Sequence, residues 1–127
     1  MKKKYILILF LVFIGVYSGI KTIQSNLERL QDLEIANVDL TEVVDGTYTG
    51  SFKVFPIIAE VKVTVKNHQI TGVELLKHQS GQGAPADKIL DQIVEAQTLK
   101  VDVISGATYS SKIILKAVEN SLNNAIE

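Results

Sequence analysis

From Tyr5 to Ile20 the chain reads YILILFLVFIGVYSGI, sixteen consecutive positions without a charge, directly after Lys2, Lys3 and Lys4. As a helix this run covers about 24 Å, against a hydrocarbon core of about 30 Å. Extension to Ile23, with Lys21 reaching back to the headgroups, closes most of the difference. The chain has 127 residues, room for one small domain, and no other part of it offers cover for such a helix. A cleavable signal peptide shares the basic start and apolar stretch. Val16-Tyr17-Ser18 is a poor small-x-small cleavage site, however, and the run is long for a signal core. Residues 1–23 therefore read as a retained membrane anchor. The N-terminal lysines and free amine outweigh Lys21 and Arg29, which sit beside Glu28 and Asp32. The positive-inside rule then predicts a single-pass protein of the cell membrane, with a cytoplasmic N-terminus and residues 21–127 extracytoplasmic.

Beyond the anchor, Ile20, Ile23, Leu27 and Leu30 recur at spacings of three and four, so the helix is expected to continue with a narrow apolar stripe. The stripe is shorter than a coiled coil requires and leaves dimerisation open. Asn37 to Glu42 breaks the pattern, which makes residues 24–44 a helical and linker segment and residues 45–127 the folded domain.

The domain reads as α+β, in the order β-β-β-α-β-α with an antiparallel sheet. A β-rich stretch opens at Asp45-Gly46 and meets Pro56. From Ile57 to Val65 the odd positions are Ile57, Ala59, Val61, Val63 and Val65, while Glu60, Lys62, Thr64 and Lys66 alternate with them. That period of two marks a strand with one buried face. Lys66 to Gln69 forms a polar turn, in which His68 is solvated, and Ile70 to Leu76 makes a third strand. Pro85 suits the first turn of a helix whose face is traced by Ala86, Ile89, Leu90, Ile93, Val94 and Gln97. Leu99, Val101 and Val103 alternate with Lys100 and Asp102 as a fourth strand. Ser110 or Ser111 then caps a last helix, buried through Ile113, Ile114, Ala117, Val118 and Leu122.

Composition removes several chemistries. A net charge of −1 without a basic stripe argues against a nucleic-acid partner. Cysteine is absent, which excludes disulfides, zinc–thiolate sites, iron–sulfur clusters and thioether haem. His68 and His78 are too few for a histidine metal site, and no metal is expected. An electron carrier of this composition needs an organic cofactor.

One turn stands out: Asp102-Val103-Ile104-Ser105-Gly106-Ala107-Thr108, between the fourth strand and the last helix. A small, hydroxyl-rich turn at a helix N-terminus is a seat for phosphate, because free N–H groups and the helix dipole favour an anion. Gly106 lets the backbone approach a ligand, Ala107 leaves a path to the neighbouring hydroxyl, and Ser105 can hydrogen-bond phosphate. Thr108 offers a hydroxyl that a phosphate can esterify. Tyr109 either lies against an apolar ring or packs on the protein. Ser, Gly and Thr also crowd ordinary helix starts, so the turn by itself is equally compatible with a purely structural role.

This D-x-x-S-G-A-T string resembles the flavinylation motif of the FMN-binding domain family, which includes the flavin subunits of sodium-pumping NADH:quinone reductase and of the Rnf complex. The likeness extends from about Asp45 to Leu122. It takes in Gly46-Thr47-Tyr48-Thr49-Gly50, similar to the D-G-x-Y-x-G strand of that family, and the histidine- and glycine-containing loop His78 to Gly83. The resemblance implies FMN held covalently through a phosphoester on Thr108, attached by a separate flavin transferase that uses FAD. Asp102, Ser105, Gly106 and Ala107 would be the pattern that enzyme reads. His78 stands near the flavin, with Gly81 and Gly83 opening backbone amides to it, or else is an ordinary loop histidine at the end of a strand. The implied protein is an extracytoplasmic electron carrier rather than a stand-alone enzyme, without catalytic residues of its own and served by a membrane or extracellular redox partner. A module that binds FMN reversibly as an accessory of a membrane redox complex is the alternative, and a structural subunit with a vestigial turn is a third.

Overall fold

The computed structural model describes residues 2–55, 57–79, 88–105 and 107–126. A long helix α1 (Lys2–Gln31) leads through a short 3-10 turn at Leu40–Glu42 into strands β1 (Gly46–Val54), β2 (Ile57–Lys66) and β3 (Gln69–Gln79), followed by helices α2 (Lys88–Ala96) and α3 (Thr108–Asn124). The architecture is the α+β arrangement that the periodicities predict. The uncharged run lies within α1, whose apolar residues from Tyr5 to Val16 are exposed. This helix is long and apolar enough to cross a membrane.

The strands form an antiparallel sheet in the order β1-β2-β3. Ile57, Ala59, Val61, Val63 and Val65 are all buried, so the alternation in β2 reports its inner face correctly. Asn67 and His68 turn into β3 with φ of 54° and 61°, the two-residue geometry whose twist suits a hairpin. Register shifts at Glu60/Val61 and Thr64/Val65 let β3 run on to Gln79, three residues beyond the expected end at Leu76.

The expected fourth strand is absent: residues 99–103 carry no strand assignment. Alternation at Leu99 and Val101 records burial on one side, and burial does not require a ladder partner. Gln97 supplies the physical reason. Its side-chain amide accepts from the Ile70 N–H at 2.7 Å and donates to the Ile70 carbonyl at 2.8 Å. A side chain thus satisfies the outer edge of β3 there, where a neighbouring strand would have done so. Gln97 itself sits at φ 55° and ends α2, and its third bond, to the Val94 carbonyl, helps hold that geometry.

Both helices cover the same face of the sheet, with α3 over β1 and β2 and α2 beside β3. Ile113, Ile114, Ala117, Val118 and Leu122 are buried, as the helical pattern predicts. Leu115 and Glu119 are buried too, which that pattern does not predict. They occupy a second face of α3, covered by the N-terminal segment. Leu27, Leu33 and Ile35 pack on the core, Leu30, Val38 and Val43 enter it, and the Ala36 N–H donates to Glu119 Oε1 at 3.0 Å. Lys116 neutralises the other carboxylate oxygen at 2.5 Å. The stripe that suggested pairing between chains is spent, at Leu27 and Leu30, on this chain's own domain.

The N-terminal segment continues to the far end of the sheet. Asn37 Oδ1 accepts from Thr98 Oγ1 at 3.1 Å, His68 Nδ1 lies 3.2 Å from the Leu40 carbonyl, and Asp45 Oδ1 accepts from the Asn67 N–H at 2.8 Å. Asp39 caps the 3-10 turn by accepting from Thr41 Oγ1 and N–H, and these bonds, with the nearby His68 charge, hold its carboxyl below the ordinary value of 3.8. Its contribution to stability is therefore present above that ordinary value and is lost as pH falls through the lowered folded-state value.

Gly50 sets the distance between α3 and the sheet. A Cβ there would collide with the Ala117 carbonyl oxygen and the Ser121 backbone nitrogen, neither of which can yield without moving the helix. Replacement Gly50→Ala is expected to lower the unfolding free energy by about 1–3 kcal/mol. Denaturant unfolding of the full chain in detergent checks this; an unchanged midpoint would show that α3 has slack above β1.

Candidate functional site

Helix α3 starts at Thr108. The preceding Ala107 (φ −136°, ψ 39°) makes no side-chain cap bond, and the first turn holds no acidic residue. Alanine at a cap costs a helix about 0.5–2 kcal/mol relative to serine or aspartate. What it leaves is a helix end to which the N-cap residue itself contributes no side-chain bond. Ala107 is buried and Thr108 is exposed, so the threonine stands on a fixed base at the mouth of the helix.

Ser111 does much of the fixing. Ser110 and Ser111 are expected to cap the helix, but both lie inside it and are buried. The Ser111 N–H already donates to the Ala107 carbonyl at 2.9 Å, and its Oγ accepts from the Ile104 N–H at 3.1 Å. Ala107 N–H in turn donates to the Ile104 carbonyl at 2.9 Å. The serine thus ties the turn back to the helix from within.

The other expected site residues divide. Ser105 is exposed beside the turn. Tyr109 is half-buried and packs against the hydrophobic core, favouring the second of its two expected roles. Asp102 is exposed and lines an open cleft of about 510 Å³ with Gln92, Glu95, Ala96, Lys100 and Val101, alongside α2. His78 is half-buried within β3 rather than in a loop, and pairs with Ala59 on the inner-facing register of β2. Gly81, Gly83 and Gly106 lie outside the described residues, as does Pro85.

Register places Thr108 and His78 at one end of the sheet. Asn120 Nδ2 donates to the Ser51 carbonyl at 2.9 Å and Asn124 Nδ2 to the Thr49 carbonyl at 3.4 Å, so α3 runs antiparallel to β1. From Asn120 back to Thr108 is about 18 Å of helix, or about five strand residues, which reaches the β1–β2 hairpin. His78, opposite Ala59, lies at that same end. Gln97 and Ser111, which hold the frame, were not legible as site residues, because a half-buried glutamine and a helical serine carry no sequence signal.

A family model for the FMN-binding domain matches residues 57–123, from the start of β2 almost to the end of α3. The match covers more than half of the chain, and the protein belongs to the FMN-binding domain family. It is also 36% identical over 101 residues to the NADH:acrylate oxidoreductase of Vibrio harveyi, an alignment covering 77% of this chain and 10% of that relative. The chain therefore spans about a tenth of that relative's length. The residues present suit FMN: an exposed hydroxyl at an uncapped helix end free of carboxylates fits its phosphate, and half-buried His78 offers a polar group at the same end.

Ser111→Ala is expected to cost about 1 kcal/mol in stability by releasing the Ile104 N–H. It should also reduce flavin content, although Ser111 lies outside the D-x-x-S-G-A-T string. Unfolding curves and flavin absorbance per chain measure the two effects; full flavin content in a destabilised variant would show that the turn needs no such tie.

Proposed function

We propose that this protein is a membrane-anchored flavoprotein that carries FMN on Thr108 through a phosphoester and relays electrons on the extracytoplasmic side. One observation carries the reading: in a chain of the FMN-binding domain family, Thr108 is the exposed hydroxyl at an uncapped helix N-terminus within the matched region. The lysine distribution supports the orientation.

Thr108 Oγ forms the bond to phosphorus while the pyrophosphate P–O bond of FAD breaks, AMP leaves, and the hydroxyl proton passes to solvent. A separate flavin transferase performs this step, reading Asp102, Ser105, Gly106 and Ala107. The α3 N-terminus would hold the esterified phosphate, and His78, Gly81, Gly83 and Tyr109 would be the residues that serve the flavin. Bound FMN supplies acceptance of one or two electrons, which suits a link between two-electron donors and one-electron carriers. Covalent attachment prevents loss by dilution outside the cell, whatever the binding affinity. The activity for which the relative is named, NADH:acrylate oxidoreduction, belongs to a much longer protein. By that analogy this chain serves as a carrier for a membrane or extracellular redox partner.

Protein produced with a flavin transferase, then denatured, is expected to keep its flavin fluorescence on the polypeptide. Thr108→Ala should lose that label while its unfolding midpoint stays near the parent's. Flavin that separates on denaturation would instead identify a reversible accessory module, and a flavin-free chain would leave a structural subunit.

A further inference from the structure

We infer that the β1–β2 hairpin rests on the bilayer surface, so that the end of the domain bearing Thr108 and His78 faces the membrane. The inference rests on the anchored reading above and adds an orientation to it.

Three observations carry it. First, α1 is one continuous helix from Lys2 to Gln31, and its last turns belong to the domain, because Leu27 packs against the core and Leu30 lies within it. Anchor and domain therefore share a single rod, and its exit from the membrane fixes the domain's attitude. Second, Asn26 Nδ2 donates to the Phe55 carbonyl at 3.1 Å. Asn26 lies three residues beyond Ile23, about 4.5 Å along the helix axis, within the headgroup layer of a span that ends there. From there the chain travels away from the membrane: Ala36 meets Glu119, Asn37 meets Thr98, and Leu40 meets His68 at the β2–β3 hairpin. The β1–β2 end is thus the near end.

Third, that end has the composition of a membrane-contacting surface. Phe55 is 56% exposed at the hairpin and Leu76 is 46% exposed on β3, where the bulge turns it outward. Lys53 on β1 and Lys77 on β3, both exposed, lie close to them in sequence, and half-buried Glu60 pairs with Lys77. Asp39, Glu42 and Asp45 lie at the opposite end, beside the His68 turn. An exposed aromatic side chain with Lys53 two residues before it and Lys77 at the same end suits an interface of anionic phospholipid, and the end bearing Asp39, Glu42 and Asp45, with Lys66 beside them, is turned away from it.

The consequence concerns the partner. A cofactor on Thr108 would meet a redox partner lying in or along the bilayer, either an integral membrane protein or a lipid-soluble carrier, sooner than one approaching from bulk solvent.

The chain lacks cysteine, so single introduced cysteines can be labelled with an environment-sensitive fluorophore in the full protein. Variants Val12→Cys, Phe55→Cys, Ser105→Cys and His68→Cys would be reconstituted in vesicles of neutral and anionic phospholipid carrying nitroxide-labelled lipid. The expected result is deep quenching at 12, shallow quenching with a blue shift at 55, shallow quenching at 105, and water-like emission at 68. No flavin is needed for this readout. Quenching at 12 with water-like emission at 55 and 105 would keep the anchor and overturn the orientation. Water-like emission at 12 would remove the anchored reading, and the orientation with it.

Discussion

The domain depends on how closely α3 lies against the sheet while being covered from behind. On one side, Gly50 removes the side chain that would hold the helix off β1, and Asn120 and Asn124 bond to the carbonyls of that strand. On the other side, the segment after α1 covers Leu115 and Glu119. A buried carboxylate is tolerable only when its charge and lone pairs are answered, and Lys116 and the Ala36 N–H do this. Helix α3 is thereby clamped along most of its length, and the position of its N-terminus follows from that clamp.

The clamp explains why the helix can begin without a cap. A helix held mainly by propensity would fray at Ala107, but one held by Ile113, Ile114, Val118 and Leu122 in the core need not. The uncapped N-terminus keeps its capacity for an anion instead of satisfying it with a carboxylate of its own. Local departures of this kind, a rule broken where the surroundings compensate, are expected at functional sites. Ser111 shows the compensation directly, acting on the turn from inside the helix rather than from its end.

The N-terminal half gives the molecule a direction. The helix that carries the apolar run also contributes Leu30 to the domain core, so run and core are joined by one continuous helix. Residues 33–43 then follow the domain to its far end and fasten the His68 turn there through Leu40 and Asp45. The β1–β2 end carries exposed Phe55 and Lys53, and the β2–β3 end carries Asp39, Glu42 and Asp45 beside Lys66 and His68.

Much of this was written in short-range pattern. The uncharged run determined α1, the odd-position valines determined the inner face of β2, and the D-x-x-S-G-A-T string announced the turn before α3, although the helix begins at Thr108, ahead of the expected cap at Ser110 or Ser111, because each depends on neighbours within a few residues. Pairing partners do not. Alternation at Leu99 to Val103 reported a buried side but could not say that Gln97 had already satisfied the β3 edge. Nor could spacing along α3 show that Glu119 would be covered by Ala36, more than eighty residues earlier. Only the tertiary structure decided that Leu27 and Leu30 pack on their own domain, that Asp102 borders a cleft beside α2, and that Thr108 and His78 share one end of the sheet. Those facts follow from which surfaces exclude water together, and that is set between distant segments rather than along the chain.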